Sequence, residues 1–512
     1  MKTSHERLIP WAIFFVVFAV YAGFLTKNYY WDGITFAQVI ENAGSLNVSL
    51  LHPSHLIYNV FGYLVYRAAY FFGFNPRAVS VLQVCNCFFG ALTATALFYV
   101  FRSLFRSVHI AVLLVCLFSF SATWWKFATD ANSYIPSIFF LVLSFYLILP
   151  GKKPTPGIVA LTHVAAMCLH QLAIFFFPVI VVGLYIQSSD DPRKRFSRIA
   201  KYSVIAGVST LGLYCLCFYL LTGSFGVREF MNWMTYYSTE NGFVFNASQS
   251  ISWTLSGTVK LFFGGRFSFF KEVANPLTIL LAILDALVLI GFLTLLVFGL
   301  VKTTKGDILE TSQIAFRQLV LICMVWAASY ALFLFFWIPK NVFYRMFYLT
   351  PLIVLLGVWI SRSKFLRSHR LIPALFVATM ILSNFLFYIV PYSKVRRETP
   401  LGMAMEMNKA WTPKSVIYFL APDGDNNLIQ YFNPTTKWRQ IHKIEPEMFE
   451  AELREIYANG GDAWVEHSAF DAFAKDEVLA KWMGERSNDQ TTHKINDPIY
   501  NIKFVKLIPK DQ

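Results

Sequence analysis

The 512-residue chain has few charged residues: Asp, Glu, Lys and Arg make up 14% of it, whereas hydrophobic residues make up 56%. A water-soluble protein of this size cannot bury so much apolar surface. The basic excess, a formal net charge of +14, is absent from the C-terminal part, where basic and acidic residues nearly balance from Tyr392 onward. This composition predicts a membrane protein with basic cytoplasmic loops and argues against a nucleic-acid-binding surface.

Metal-binding cysteine motifs and nucleotide-binding motifs are also lacking. All seven cysteines lie in apolar stretches, and Cys85 and Cys87 are separated by a single residue, which is not the spacing of a zinc-ligand pair. The chain has no P-loop, no dinucleotide-binding glycine motif and no nucleophile elbow. No set of metal ligands is predicted, although a divalent metal is left open as a cofactor. No nucleotide site is expected on the cytoplasmic side.

Long apolar segments fill residues 1–391. A membrane-spanning helix needs about 20 mostly apolar residues, and about eleven such segments are present. They begin near Leu8, Val79, Val108, Tyr134, Pro156, Leu172, Tyr202, Thr278, Gln318, Met346 and Leu371. No small-residue cleavage site follows the first segment, so a retained helix is predicted there rather than a signal peptide. This part is predicted to be an all-α polytopic membrane domain.

Two further apolar stretches, 53–74 and 250–270, contain polar or basic residues and are predicted to lie flat on the outer surface. The inner segments are then much richer in Lys and Arg than the outer ones, as the positive-inside rule requires. If 53–74 crossed the membrane, the basic cluster within 187–202 would face outward. The predicted topology has a cytoplasmic N-terminus, outer loops at 27–78 and 222–275, and an outer C-terminal part.

Residues 392–512 combine short β-like runs with one helical pattern at 446–458. The β patterns fall at 415–420, 463–465 and 500–507. This mixture predicts a small α/β or α+β domain on the outer face, separate from the membrane domain. The lack of predicted disulfides and of a retention signal favours a bacterial inner membrane over the endoplasmic reticulum.

Asp32 follows the first predicted helix, within the sequence YYWDG at 29–33. Aromatic residues suit a membrane interface, and an acid held at that depth is partly desolvated, which raises its pKa. Asp32 is therefore a candidate general base. The alternative is a solvated loop acid that caps the following helix.

Asp130 lies in the sequence WWKFATDANSY at 124–134, at the predicted outer turn between the third and fourth helices. On the predicted topology it shares a face with Asp32. Ionisable residues at bilayer depth are costly, so these two acids form a candidate catalytic pair. Asp130 could instead cap the fourth helix.

Two outer segments contain histidines. His52 and His55 open the 53–74 stretch and could bind phosphate, position an acceptor or contribute to a metal site, although no third ligand is evident. Capping that helix is the alternative. His170 and Gln171 lie at an outer turn, where polar side chains line a cavity or are satisfied within the core.

Basic residues on outer segments are candidate ligands of a lipid phosphate. Lys340 and Arg345 precede the tenth predicted helix, where an arginine could bind a phosphate through two hydrogen bonds. Snorkelling to the interface is the alternative. Arg266, in the second outer loop, is a weaker candidate of the same kind.

This pattern resembles the GT-C class of integral-membrane glycosyltransferases, which includes the protein O-mannosyltransferases and bacterial aminoarabinose transferases. The resemblance covers roughly residues 8 to 391 and rests on topology together with short motifs. These are an acid after the first helix (Asp32), a His-Pro element (His52 to His55), a basic helix end (101–106), a second acid (Asp130) and an Arg-aromatic-Pro element (344–351). Many relatives have paired acids in the first loop, whereas Gly33 follows Asp32 here.

The resemblance implies an inverting sugar transfer from a polyprenyl-phosphate-linked donor on the outer face. Asp32 would deprotonate the acceptor, Arg345 would neutralise the departing lipid phosphate, and Asp130 would position the acceptor or tune Asp32. The acceptor could be a lipid, a glycan or a protein. Two alternatives stay open: a flippase or transporter without covalent chemistry, and a scaffold that binds partners through its C-terminal part. The lack of an internal repeat counts weakly against a transporter.

Overall fold

A computed structural model describes residues 4–187, 191–240, 243–264, 276–301, 313–395, 399–419, 424–441, 445–466, 477–494 and 503–510. The chain divides into two compact units. The helical unit comprises Met1–Leu25 and Val39–Pro391, and the sheet unit comprises Thr26–Gln38 and Tyr392–Gln512. The short segment that contains Asp32 therefore groups with the C-terminal residues.

The described residues up to 392 are mostly helical. The described α-helices are α1 (Ser4–Gly23), α2 (Trp31–Asn42), α3 (Tyr58–Phe71), α4 (Ala78–Phe105), α5 (Val108–Ser119), α6 (Ala122–Ala128), α7 (Tyr134–Leu147), α8 (Pro156–Leu169), α9 (Phe177–Gln187), α10 (Pro192–Thr222), α11 (Val227–Glu240), α12 (Ala247–Phe262), α13 (Pro276–Val301), α14 (Gln313–Phe336), α15 (Leu349–Arg362), α16 (Lys364–Ser368), α17 (Leu371–Asn384) and α18 (Val390–Tyr392). Short 3-10 turns cover Val48–Leu50, Pro53–His55, Gln171–Phe176 and Phe343–Tyr348, and a π-helical turn covers Phe385–Ile389.

Seven of the described helices are long and apolar enough to cross a membrane, and an eighth span results if the bent pair α5 and α6 is counted as one. Three shorter apolar helices, Tyr134–Leu147, Pro156–Leu169 and Gln171–Gln187, complete the set. Every predicted spanning segment coincides with one of these helices. The prediction of a polytopic α-helical membrane protein is confirmed.

The ends of α10 illustrate how local sequence sets helix limits. The carboxylate of Asp191 accepts a hydrogen bond from the backbone N–H of Arg193 at 2.9 Å, and Pro192 occupies the first helical turn. After 31 residues the helix ends at Gly223, whose φ of 70° lies in the left-handed region that glycine adopts without steric cost. Both limits follow from residues within the helix ends themselves.

The helices α5 and α6 form a broken segment that bends by 69°. Non-helical backbone within a membrane protein is tolerated where other protein segments surround it, since its polar groups otherwise lack partners. All seven residues of α6 are buried. This buried helix brings Lys126 and, just after its end, Asp130 into the interior of the helical unit.

The stretches predicted to lie flat include α3, with 14 residues, and α12, with 16, while residues 265–270 of the second stretch lie outside the described residues. At 1.5 Å per residue these helices are about 21 and 24 Å long, shorter than a hydrocarbon core of about 30 Å. Leu64 and Phe71 of α3 and the adjacent Phe72 are exposed, so this region has an apolar outer face. Their orientation in a bilayer stays a prediction, because some helices counted as apolar segments above are equally short.

The sheet unit contains a five-stranded sheet with the order β2-β1-β3-β5-β4. The strands are β1 (Val416–Phe419), β2 (Lys437–Gln440), β3 (Ala463–Glu466), β4 (Ser487–Lys494) and β5 (Lys503–Leu507). β1 pairs in parallel with β2 and β3, whereas β5 pairs antiparallel with β3 and β4. The described helices here are α19 (Pro400–Ala410), α20 (Gly424–Phe432), α21 (Pro446–Ala458) and α22 (Glu477–Arg486). The prediction of a small mixed α and β domain is confirmed.

Both faces of the sheet are packed. Because successive strand residues point to opposite faces, Val465 and Val505 join a core with Phe449 of α21 and Met483 of α22. The neighbouring residues Trp464 and Phe504 pack on the opposite face against Trp411, with ring centroids 6.2 and 5.1 Å from it. The central strands β3 and β5 are therefore covered on both faces.

Candidate functional site

Asp32 lies in the first turn of α2 and is half-buried. A carboxylate is stabilised near a helix N-terminus, where backbone N–H groups are unpaired. The adjoining residues Tyr29 and Tyr30 are buried, each 7% exposed. The predicted base is therefore held on a regular helix, in the part of α2 that belongs to the sheet unit, and not on an irregular loop.

His52 and His55 stack on each other with ring centroids 4.1 Å apart. The backbone N–H of Ser54 donates to Nδ1 of His52 at 3.2 Å, and because an amide can only donate, Nδ1 is unprotonated. The neutral ring then has its proton on Nε2. His52 thus caps the 3-10 turn Pro53–His55, the alternative expected from the sequence, and retains one N–H for another partner.

Burial determines the charge of this pair. It lowers the pKa of His52 to about 4 and that of His55 well below its usual range, and the nearby His52 and His170 lower the latter further. Both rings are therefore neutral near pH 7. They can donate a hydrogen bond to a phosphate or a sugar, but they supply no positive charge.

His170 repeats this arrangement at the start of Gln171–Phe176, where its Nδ1 accepts from the backbone N–H of Leu172 at 3.2 Å. Gln171 donates from Nε2 to the carbonyl of Met234 at 3.0 Å. Gln171 also lines an apolar cavity of about 370 Å³ with His163, Met167 and Tyr214 among others. Gln171 lines this cavity, and its role in binding a ligand stays a prediction.

Asp130 is fully buried, and its Oδ2 forms an ion pair with Nζ of Lys126, one helical turn earlier. Its Oδ1 accepts from the N–H of Ala131 at 2.8 Å. The side-chain amide of Asn86, on α4, donates to the carbonyls of Asp130 and Asn132 at 2.7 and 2.8 Å. The turn is therefore held rigidly, and the charge of Asp130 is balanced within α6 and its end.

Arg345 is completely buried in the turn Phe343–Tyr348. Its guanidinium donates to Tyr348 Oη at 2.9 Å and to the carbonyls of Pro339 at 2.6 Å and Trp253 at 3.4 Å. Its Nε has no hydrogen-bond partner among the described residues. Its hydrogen-bond acceptors among the described residues are one phenol and two carbonyls, which are neutral. None of them offsets the positive charge of the guanidinium.

The backbone around Arg345 is shaped for close approach. Gly257 of α12 packs directly on the guanidinium, since an added Cβ would overlap Nε. Ile338 has φ 47°, a conformation that costs a β-branched residue about 1–3 kcal/mol. It immediately precedes Pro339, whose carbonyl binds Arg345. The strained backbone at Ile338 and the absence of a side chain at Gly257 therefore both help to place the Arg345 guanidinium.

A cluster of aromatic side chains connects these elements of the helical unit. The aromatic cluster consists of Phe127, Tyr134, Phe343, Tyr344 and Phe347. His170 lies 4.8 Å from Tyr134 and 5.5 Å from Phe347 between ring centroids, and Nζ of Lys126 lies 4.6 Å from the ring of Phe127. The structure therefore brings the Asp130 turn, His170 and the Arg345 turn around one cluster.

Other predicted residues differ in placement. Lys340 is exposed, five residues before the buried Arg345. Arg266 lies outside the described residues. Among the residues that the structure describes, no group of three or more His, Cys, Asp or Glu side chains is arranged to hold a metal ion.

Sequence reasoning missed several residues of this site. The partner of Asp130 could have been found, since Lys126 is at the i,i+4 spacing typical of ion pairs on one helix face. The contact between Gly257 and Arg345, which are distant in sequence, has no local signal. Asn86 is equally inconspicuous within the apolar α4.

The order of the spanning helices, followed by a small sheet-containing unit, is that of a multi-pass integral membrane protein with a GT-C-like fold. No family model matches the sequence, and no curated protein sequence matches it.

Two solved structures of ArnT from Cupriavidus metallidurans are similar to the chain over nearly its whole length. ArnT bound to undecaprenyl phosphate aligns with a TM-score of 0.61 and 13% identity, covering 99% of this chain and 98% of that one. ArnT in the apo state aligns with a TM-score of 0.59 and 11% identity, covering 98% of both chains. At such low identity the likeness shows the fold, and the resemblance in architecture expected from the sequence is confirmed.

Proposed function

We propose that this chain is an inverting glycosyltransferase that moves a sugar from a polyprenyl-phosphate-linked donor to an acceptor on the periplasmic face of a bacterial inner membrane. The observation that carries the proposal is Arg345: a fully buried guanidinium with an unpartnered Nε and only neutral acceptors among the described residues. A buried charge without a counter-charge is costly, so the site is suited to an anionic ligand such as a lipid phosphate. The fold it shares with ArnT, solved with undecaprenyl phosphate, supports the same ligand class.

The proposed reaction is a single displacement. Asp32 takes the proton of the acceptor hydroxyl as the oxygen attacks the anomeric carbon, and the bond from that carbon to the phosphate oxygen breaks. The polyprenyl phosphate leaves with the bonding electron pair, and attack from the opposite side inverts the anomeric configuration. Arg345 stabilises the negative charge that develops on the departing phosphate.

The remaining predicted residues take supporting roles in this proposal. His52, His55 and His170 donate neutral hydrogen bonds to the donor or the acceptor, and Lys340 and Arg266 attract the anionic headgroup. Asp130 positions the acceptor from its rigid turn. Residues 1–25 and 39–391 form the membrane domain, and residues 26–38, which bear the base, join residues 392–512 in the outer-face domain. The sugar is a pentose or hexose, and the acceptor is a lipid, a glycan or a protein.

The proposal is tested by turnover in nanodiscs, measured as release of polyprenyl phosphate from a panel of polyprenyl-phosphate-linked pentoses and hexoses. Asp32→Asn is expected to lower kcat by about 100-fold or more, because it removes the base. Arg345→Gln is expected to lower kcat by about 100-fold and to raise the KM for the donor. Lys153→Gln, which removes an exposed cation elsewhere, is the charge-matched control and keeps normal turnover.

Wild-type turnover in Asp32→Asn would refute the base assignment. Unchanged donor affinity and turnover in Arg345→Gln would refute the phosphate role. Both measurements are referred to the amount of folded protein in the membrane, determined by size-exclusion chromatography.

A flippase is the second candidate, and the bent pair α5 and α6 is the observation that favours it, since transporters use broken helices at their substrate sites. Proteoliposomes loaded with a fluorescent polyprenyl-phosphate sugar separate the two candidates. Movement of the lipid across the bilayer with no covalent product would support a flippase.

A further inference from the structure

The segment Thr26–Gln38 is attached to the C-terminal residues at both ends. At its start, the N–H of Lys27 donates to the carbonyl of Tyr392 at 2.6 Å, and Thr26 Oγ1 donates to the same carbonyl at 3.4 Å. At its end, Nε2 of Gln38 donates to the carbonyl of Asn427 at 3.1 Å. Asp32 lies between these anchors.

The helix α20 supplies the main contact surface. The ring of Tyr29 packs on that of Phe432 with centroids 5.3 Å apart, and Asn427, the acceptor for Gln38, belongs to the same helix. Residues 29 and 38 lie on either side of Asp32 in the sequence. A single helix of the sheet unit therefore contacts the acid-bearing segment before and after the acid.

The helix α20 is itself held firmly. Leu428, Ile429 and Tyr431 are buried, at 1%, 0% and 3% exposure. The side-chain amide of Asn408, on α19, donates to the carbonyl of Phe432 at 3.3 Å. The position of the Phe432 ring thus depends on the packing of the sheet unit.

We propose that the C-terminal part of the chain positions the catalytic acid, with Phe432, Tyr29 and Gln38 as positioning residues. This inference rests on the proposed function, because it takes Asp32 as the base. A base must be placed within a fraction of an ångström, and a misplacement of about 1 Å costs on the order of 100-fold in rate. The sheet unit is then part of the catalytic apparatus, in addition to any contact it makes with an acceptor.

The test compares kcat and donor KM in the full-length protein. Phe432→Ala and Gln38→Met are each expected to lower kcat by about tenfold, and together by more, with the donor KM unchanged. Tyr29→Phe and Phe432→Tyr each keep the ring contact and are expected to retain near-normal kcat. In the double-mutant cycle of Tyr29→Leu and Phe432→Leu, the second substitution is expected to add little to the first.

Phe449→Leu is the matched control, because Phe449 is buried in a core of the same unit that includes no described residue of α20. It destabilises the sheet unit but is expected to leave kcat per folded molecule unchanged. An equal loss of kcat in Phe449→Leu would overturn the proposal, because any weakening of the unit would then suffice. Full kcat in the combined Phe432→Ala and Gln38→Met variant would overturn it as well.

Asp32→Asn separates this inference from the proposed function. If that variant is inactive while the Phe432 and Gln38 variants are fully active, only the positioning proposal fails. If Asp32→Asn turns over normally, the assignment of the base fails, whatever the other variants do.

Discussion

At the scale of single residues, the environment of Arg345 depends on Gly257. This residue has no side chain, and the guanidinium occupies the space beside it. The sequence suggested Arg345 as a phosphate ligand because of its position before a late helix. It did not indicate that the arginine would be fully buried. Burial changes the argument, since an exposed arginine needs no ligand, whereas a buried one without a counter-charge does.

Gly257→Ala is expected to displace the guanidinium and to raise the donor KM about tenfold, because the new methyl group would overlap Nε. In an Arg345→Lys background the same substitution should have a smaller effect, since lysine lacks the planar guanidinium. Gly212→Ala in α10 is the matched control, because nothing lies within 4 Å of its added Cβ. Steady-state kinetics of the four variants check this, and equal KM changes in both glycine variants would contradict it.

The buried histidines predict a pH dependence of stability. The pKa of His52 is about 4 in the folded protein, below its ordinary value of 6.5, so the unfolded chain binds the proton more readily. The contribution of His52 to the free energy of unfolding is therefore fully present above about pH 6.5, and it is lost as the pH falls towards 4. At pH 5 the loss from this group is about 1–2 kcal/mol relative to pH 7.

Melting temperatures in detergent at pH 7 and pH 5 measure this effect. His52→Gln is expected to reduce the difference between the two temperatures, because the titrating group is removed. His369→Gln, at an exposed histidine, should leave the difference as in the wild type. An unchanged difference in His52→Gln would show that other groups cause the acid sensitivity.

At the scale of elements, the broken pair α5 and α6 explains why an ion pair lies inside the helical unit. A straight helix through this region would direct Lys126 and Asp130 along its axis towards one membrane surface. The bend of 69° instead places the short α6 among other helices, where all its residues are buried. Apolar pattern alone predicted a single span here, because hydropathy does not register a bend.

Lys126→Met is expected to destabilise the helical unit by about 3–5 kcal/mol, because it leaves a buried carboxylate without its cation. Adding Asp130→Asn should recover most of that loss, as the pair is then neutral. Thermal stability and turnover are measured together. If the double variant is stable but slow, Asp130 has the proposed role with the acceptor, whereas normal turnover would make the pair structural.

At the scale of the whole molecule, the segment with the predicted base groups with residues almost 400 positions later in the chain. The sequence suggested a continuous outer loop from 27 to 78 and an independent domain from 392. The structure assigns residues 26–38 to the sheet unit through the contacts with Tyr392 and α20. The sheet unit therefore has a direct connection to the proposed chemistry.

The sequence alone determined the membrane class, the apolar segments and three of the five strands of the C-terminal unit, because these depend on local hydrophobicity and periodicity. It also singled out Asp32 and Arg345, since charged residues are conspicuous among apolar segments. Only the tertiary structure decided that Arg345 is buried beside Gly257, that Asp130 is paired within a bent helix, and that Asp32 lies on a segment held by α20. These features arise from contacts between residues far apart in the chain, and such contacts leave no pattern in a single sequence.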